Sequence, residues 1–168
     1  ENKNNSKLIG PSYIYFDDKT IFCNEGYITK NSAEFFNNAS ITTNDIKIAS
    51  DSIYYDEIKK SILTLGNVVL TDTINNLLIS SNEAIFLEIE EKMTFKKEPC
   101  LKLMSNDDTL TVYSKIFESY SIKGETTIHA KSNVEFFNTD LIGKCDSLYY
   151  SSYDSSITLY DEPIIWID

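Results

Sequence analysis

Few residues in this sequence have the chemical type that catalysis needs. His129 is the single histidine, and it lies in the alternating run of residues 127–130. Because a catalytic histidine needs a partner that sets its protonation, we expect His129 to be a packing or surface residue. The three cysteines, Cys23, Cys100 and Cys145, lack the spacing of a metal site. Two of them could form a disulfide in an oxidising compartment, and a packed position in a strand is the role that we expect for each.

Adjacent acidic pairs are the other candidates for chemistry. They occur at Asp17-Asp18, Glu90-Glu91 and Asp107-Asp108, in segments with the composition of turns. Because adjacent side chains on a strand point to opposite faces, such a pair cannot easily converge on one scissile bond. The sequence also contains no nucleophile elbow, phosphate-binding loop or dinucleotide fingerprint. We therefore expect no enzymatic activity, no cofactor and no metal site.

Composition and charge narrow the fold and the class of partner. The 26 acidic side chains outnumber the 15 basic ones and give a net charge of −11. Nucleic acid is then a poor partner, because phosphate recognition needs a concentrated positive face, and a helix lying on an anionic membrane is disfavoured for the same reason. The 168 residues are rich in Tyr and Phe, with only 5 Gly and 3 Pro, which favours one ordered β-domain.

The elements that would position these side chains are strands. Apolar and polar residues alternate, as in Ile46-Lys47-Ile48 and Leu101-Lys102-Leu103, with the period of a half-buried strand. Polar clusters that favour turns interrupt this alternation. These clusters are Asn37-Asn38, residues 72–76, Asn106-Asp107-Asp108 and Asn138-Thr139-Asp140.

The strands recur at a nearly fixed interval. Four segments with a related pattern have their fourth residues at positions 51, 82, 115 and 146, in steps of 31, 33 and 31. A degenerate fifth copy covers residues 22–27, and a second apolar strand follows about 17 residues after each anchor, as in Gly66-Asn67-Val68. Fixed-period repetition of this kind predicts about four to five two-stranded units of roughly 31 residues.

The apolar alternation changes phase once within a unit. Ile48 and Ser50 share one face, and after Ser50-Asp51 the apolar positions continue at Ile53 and Tyr55. A β-bulge produces such a change, because it re-aims the strand and increases its twist. Bulges at equivalent positions would curl a meander into a roll. The predicted fold class is therefore all-β, an open rolled antiparallel sheet with an apolar interior.

The repeated unit is a small-Asp-x-apolar-x-Tyr strand followed by a Gly-x-Val strand. Residues 50–55 with Gly66-Asn67-Val68 carry it, and residues 145–150 with the Pro-x-x-Trp ending at 163–166 are a second copy. This pattern, over roughly residues 20–168, resembles the OstA-like family of periplasmic lipopolysaccharide-transport proteins. The chain departs from the family pattern at Pro99, where the valine is expected, and at Lys115, which replaces the acidic residue.

The resemblance implies a β-jellyroll whose groove holds the acyl chains of lipid A in the periplasm. It also implies end-to-end contacts with other β-jellyroll transport proteins, and a homo-oligomer by the same contacts. Lipopolysaccharide is the implied ligand, and the role is transport without catalysis. The inward apolar positions of the repeats are the candidate groove lining: Ile48, Ile53, Tyr55, Val68, Leu70, Ile79, Phe86, Leu101, Leu103, Val112, Phe117, Val134, Phe136, Leu148, Tyr150 and Ile165.

The repeat domain is expected to cover residues 8–168, after a polar leader over residues 1–7 without regular structure. The pattern stops partway through a unit at Asp168, so we expect the native protein to continue. The periodicity is also compatible with a structural or adhesive β-solenoid whose interior is fully packed. A continuous apolar groove would favour transport, and a filled interior would favour the scaffold.

Overall fold

The computed structural model describes residues 5–16, 19–105, 108–122 and 124–167. Within these ranges the chain forms fourteen antiparallel strands of one sheet and no helix. It follows that no helix in this part of the chain is long and apolar enough to cross a membrane. The strands are β1 (Ser6–Phe16), β2 (Lys19–Ile28), β3 (Ser32–Thr42), β4 (Ile46–Asp56), β5 (Ser61–Asp72), β6 (Leu77–Leu87), β7 (Lys92–Lys96), β8 (Cys100–Met104), β9 (Thr109–Tyr113), β10 (Ile116–Ile122), β11 (Glu125–Phe137), β12 (Leu141–Ser151), β13 (Ser156–Tyr160) and β14 (Ile164–Ile167).

The sheet is a meander in which successive strand positions are neighbours. Three positions hold two short strands each: β7 and β8 both pair with β6, β9 and β10 with β11, and β13 and β14 with β12. With each such pair taken as one broken strand, β1 is followed by five two-stranded units. The fold class predicted from the repeats, an open rolled antiparallel β-jellyroll, is therefore confirmed.

Register shifts interrupt six of the strand pairs and bend the sheet. Between β4 and β5 the shift falls between Ala49 and Ser52, at the predicted bulge. On β5 the bulge holds two successive residues in the left-handed region, Gly66 and Asn67, with φ of 75° and 47°. The Asn67 amide donates to the Asp51 carboxylate at 3.0 Å, across the bulge. These contacts give the repeated Asp and the Gly-Asn pair a common structural role.

The small residue of the repeated motif provides a hydrogen bond to the backbone next to the bulge. In four of the units its side chain donates a hydrogen bond to the carbonyl oxygen two residues later, at 2.9 to 3.2 Å. The donors are Ser50, Ser81, Ser114 and Cys145. Because a bulge removes ladder partners from the backbone, a short side chain that supplies one is favoured there.

One predicted turn is wrong. Asn37-Asn38 lies inside β3, with φ of 62° and 66°, and forms a bulge. Asparagine enters the left-handed region readily, so the same residue pair suits either structure. Of the turn predicted over residues 72–76, residues 73–76 connect β5 to β6 and Asp72 ends β5, and the turn predicted over residues 138–140 connects β11 to β12. β1 begins at Ser6, within the expected leader, whereas the features expected at residues 1–4, 17–18 and 106–107 lie outside the described ranges.

The bends divide the sheet into two limbs whose inner faces meet. Residues directly opposite each other on paired strands share a face, so the register defines a continuous inward row on each limb. Row A, on limb A, consists of Ile14, Ile21, Ile41, Ile48, Leu70, Ile79, Leu101, Val112, Phe136, Gly143 and Ile165. Row B, on limb B, consists of Leu8, Gly26, Phe35, Ile53, Thr64, Ala84, Phe95, Phe117, Ala130, Leu148 and Leu159.

The two rows pack into two clusters of unequal size. The larger cluster joins the Ile48-to-Phe136 part of row A to the Ala84-to-Leu148 part of row B. The smaller one, under the first hairpins, consists of Cys23, Phe35, Ala39 and Ile53. Most of the core therefore lies in the C-terminal part of the roll, where removal of apolar surface from water contributes most to stability. The N-terminal part has a thinner one.

Candidate functional site

The register places the predicted lining residues on the inner faces of the two limbs. Seven of them belong to row A: Ile48, Leu70, Ile79, Leu101, Val112, Phe136 and Ile165. Ile53, Phe117 and Leu148 belong to row B. Tyr55, Phe86 and Tyr150 lie two residues further along limb B, towards its free edge. Val68 and Val134 lie beside the bend, and Leu103 lies near the free edge of limb A.

In the C-terminal part of the roll these side chains fill the interior. Seven of them have no exposed surface and belong to the larger cluster: Val68, Ile79, Leu101, Val112, Phe117, Val134 and Leu148. Phe136 is also buried there, and its ring lies against Gly143. Ile53 is the equivalent residue of the smaller cluster. Ile165, at the end of row A on β14, is 47% exposed.

In the N-terminal part the limbs stand apart and leave two adjoining cavities. The larger has a volume of about 330 Å³ and the smaller about 250 Å³. Lys19, Ile41 and Ile62 line both, so the two cavities form one trough, which we call the N-terminal groove. The apolar lining of the larger cavity consists of Ile41, Ile46, Ile48, Ile62, Leu70, Leu77, Phe86 and Met93. That of the smaller consists of Ile14, Ile21, Ile28, Ala33, Phe35, Ile41, Tyr55 and Ile62.

The N-terminal groove contains only some of the predicted lining residues. Ile48, Leu70 and Phe86 line the larger cavity and Tyr55 the smaller. The isoleucines of the first hairpins were not among the predicted lining residues, because β1, β2 and β3 lie outside the four aligned segments. A signal for them exists in the sequence: Ile14, Ile21 and Ile41 occupy the same row as Ile48. Alternation followed back from Ile48 strand by strand would have found them.

Charged side chains surround the opening between the limbs. Five charged side chains of the described ranges line the groove: Lys19, Glu57, Glu88 and Glu91, and the buried Asp72. The Tyr55 hydroxyl donates a hydrogen bond to Glu57, and Lys60 donates to the other carboxylate oxygen. Lys60, followed by Tyr55, lowers the pKa of Glu57, and the hydrogen bond to Glu57 raises the pKa of Tyr55. The opening is therefore polar and mainly acidic, whereas the interior is mainly apolar, with Asp72 and Thr126 as buried polar residues at one side of the larger cavity.

A third cavity, of about 410 Å³, lies between the limbs in the C-terminal part and is more polar. We call it the C-terminal cavity. Two predicted lining residues, Leu103 and Tyr150, contribute to it. Its other lining residues come from turns and strand ends of both limbs: Ile74, Asn75, Asn76, Met104, Ser105, Asp108, Leu110, Asn138, Ser152, Ser155 and Ile157.

His129 and the three cysteines do not line these cavities, whereas Glu91 and Asp108 of the acidic pairs line the larger cavity of the groove and the C-terminal cavity, respectively. His129 packs edge-on against Tyr149, with ring centroids 5.2 Å apart. Cys23, Cys100 and Cys145 are free thiols and are buried, as predicted for packed cysteines. Burial raises the pKa of the thiols of Cys23 and Cys145, which makes them less reactive. Across the described ranges, no group of three metal-ligating side chains comes together.

The comparison with solved structures identifies the fold. One match is LptH from Pseudomonas aeruginosa, described as the LptA homologous periplasmic component of the conserved lipopolysaccharide transport device. The alignment has a TM-score of 0.62 at 11% identity and covers 73% of this chain and 94% of that chain. No family model and no curated protein matches the sequence. At this identity the likeness concerns the fold: the chain has the fold of LptH.

Proposed function

We propose that this chain is a non-enzymatic lipid-binding module that carries lipopolysaccharide across the periplasm to the outer membrane. The observation that carries the proposal is the N-terminal groove, an apolar trough between the limbs whose two cavities measure about 330 and 250 Å³. Its fold is that of a periplasmic component of a lipopolysaccharide transport device, which supports the same role and location.

Acyl burial is enough to hold such a cargo. Each methylene group removed from water contributes about 0.8 kcal/mol, so ten buried carbons contribute on the order of 8 kcal/mol. The Ile, Leu, Phe and Met side chains of the larger cavity offer an acyl chain apolar contact only, and its polar lining residues have no group on a hydrocarbon chain to bond. A lining of this kind binds no single carbon tightly, and a chain can therefore shift along it.

The charges around the opening favour a headgroup that stays outside. Three carboxylates (Glu57, Glu88 and Glu91) and one lysine (Lys19) line the groove near its opening, Lys60 pairs with Glu57, and the whole chain carries a net charge of −11. A phosphorylated headgroup is repelled by this rim, so the acyl chains enter the groove and the sugar and phosphate groups remain in solvent. The partners of the module are then lipopolysaccharide and further β-jellyroll domains that meet it end to end.

Photo-crosslinking from inside the groove tests the proposal. A photoreactive phenylalanine analogue at Phe86, which lines the larger cavity, is expected to form an adduct with lipopolysaccharide. The matched control is the same analogue at Ile85, whose side chain lies on the opposite face of β6. No adduct from Phe86, Ile62 or Met93, or equal adducts from Phe86 and Ile85, would contradict an acyl-binding groove.

A second candidate function, a structural β-solenoid scaffold, is favoured by the packing of the C-terminal part. There, side chains such as Phe95, Phe117 and Leu101 have no exposed surface. A scaffold needs no bound lipid, so the crosslinking experiment also distinguishes the two functions. Adducts at Phe86 favour transport, and their absence favours the scaffold.

A further inference from the structure

A buried polar cluster joins the two limbs at one point. Asp72 ends β5 on limb A, and Thr126 lies on β11 of limb B. The Thr126 hydroxyl donates a hydrogen bond to Asp72 Oδ2 at 3.3 Å, and the Asn75 amide donates to the Thr126 hydroxyl at 3.2 Å and to Asp72 Oδ2 at 2.7 Å. Asp72 and Thr126 are each 4% exposed. We call these three residues the polar clasp.

The polar clasp lies between the N-terminal groove and the C-terminal cavity. Asp72 and Thr126 line the larger cavity of the groove, and Asn75 lines the C-terminal cavity. Tyr150 lines the C-terminal cavity, and burial together with the Asp72 charge raises the pKa of Tyr150. The clasp therefore separates the N-terminal groove from the C-terminal cavity in the space between the limbs.

We propose that the polar clasp ends the apolar path of the N-terminal groove and so limits the length of acyl chain that the groove takes up. This inference rests on the proposed lipid-binding function. A methylene chain offers no hydrogen bond to the carboxylate, amide or hydroxyl of the clasp. A tail that passed between them would separate buried polar groups from their partners, which is unfavourable.

The clasp also determines where the apolar path stops. From Ile14 on β1 to Leu77 on β6 the groove crosses five strand spacings, about 24 Å at the usual separation of neighbouring strands. Carbons within this distance are buried against isoleucine and leucine, and each one tightens binding by about fourfold. Carbons beyond it stay in water or meet the clasp, and they add nothing.

A homologous series of saturated fatty acids, from about 12 to about 28 carbons so that the longest exceed the groove, tests the inference by displacement of the fluorescent probe N-phenylnaphthylamine. The dissociation constant of the wild-type protein is expected to fall with chain length and then level off. Thr126→Val keeps the side-chain volume and removes both hydrogen bonds between the limbs. In this variant we expect the plateau to move to longer chains. The longest fatty acid should bind to the variant at least about tenfold more tightly than it binds to the wild-type protein.

The control substitution is Thr139→Val, which removes a Thr–Asp hydrogen bond of 3.0 Å to Asp108 within limb A. It is expected to keep the wild-type plateau, as is Thr126→Ser, which retains the hydroxyl. If Thr126→Val does not fold, Asn75→Ala removes one of the two hydrogen bonds between the limbs and should move the plateau in the same direction by less. The turn is kept, because Asp72 Oδ1 still accepts its backbone amides.

The outcomes separate the inference from the proposed function. A plateau at the same chain length in Thr126→Val, Thr139→Val and the wild-type protein would overturn the inference while leaving the groove as a lipid site. If no fatty acid of the series displaces the probe from the wild-type protein, the proposed function itself is overturned, and the inference with it.

Discussion

Gly143, an inward glycine of row A, leaves the space that the side chain of Phe136 occupies. Gly143 and Phe136 are direct neighbours in row A, and a Cβ atom at Gly143 would overlap the edge of the Phe136 ring. The ring of Phe136, itself only 4% exposed, fills the space that the glycine leaves. The pair shows why a glycine occupies one inward position in a row that otherwise consists of bulky residues.

Gly143→Ala is therefore expected to destabilise the protein by overpacking. The added methyl group must push the Phe136 ring from its site, at a cost of about 1–3 kcal/mol in the free energy of unfolding. Urea denaturation measures this change. In the double variant Gly143→Ala/Phe136→Leu the ring is gone, so the added methyl group should cost much less than it does in the wild-type background. Additive effects of the two substitutions would contradict the collision.

At the scale of the strands, one carboxylate links three adjacent strands on the outer face of limb B. Glu118 on β10 accepts hydrogen bonds from Lys131 of β11 at 2.6 Å and from Lys92 of β7 at 2.9 Å. Its side chain is 18% exposed. Lys131, and after it Lys92, hold the pKa of Glu118 below its usual range.

The lowered pKa of Glu118 predicts a pH-dependent contribution to stability. Because the folded-state pKa is depressed, the contribution is present above the unfolded-state value of about 4.3 and is lost as the pH falls through the folded-state pKa. We expect Glu118→Gln to lower the free energy of unfolding by about 1 kcal/mol near neutral pH, and by progressively less in acid. Denaturant midpoints against pH measure it. Glu135→Gln, an exposed position on β11, is the charge control, and an equal loss there would contradict the prediction.

The strands, their repeat and the bulges were predictable from the sequence because each is encoded locally. The phase change at Ser50-Asp51 marks a real register shift. The break at Pro99 separates β7 from β8, since proline cannot donate to the ladder. Asn37-Asn38 was not predictable as a bulge, because a local pattern does not tell whether the chain reverses or continues after two left-handed residues.

The location of the groove was not predictable from alternation. Alternation assigns Ile41 and Leu101 equally to the inner face, yet Ile41 lines an open cavity and Leu101 is fully buried. The difference arises from the size of the side chains on the opposite limb, since Phe95 and Phe117 of row B fill the C-terminal interior. The polar clasp was equally hidden, because Asp72 and Thr126 are 54 residues apart in the sequence.

At the scale of the whole sheet, β14 is an edge strand in the part of the chain that the structure describes. Row A runs from β1 to β14 and stops at Ile165, which is 47% exposed. The four residues of β14 are all exposed apolar side chains on a terminal strand. Exposed strand edges of this type pair with strands of other chains. A second β-jellyroll docked there would extend both the sheet and its inward row.

End-to-end association is therefore expected to depend on the inward face of β14. The weight-average mass of the wild-type protein should rise with concentration in sedimentation or light-scattering measurements. Ile165→Lys places a charge in the continuation of row A, which natural sheets use to block edge pairing, so this variant should stay at the mass of a single chain. Tyr153→Lys makes the same charge change at a 77% exposed turn residue and should associate as the wild-type protein does. A strict wild-type monomer at high concentration, or equal association of the two variants, would show that this edge makes no such contact.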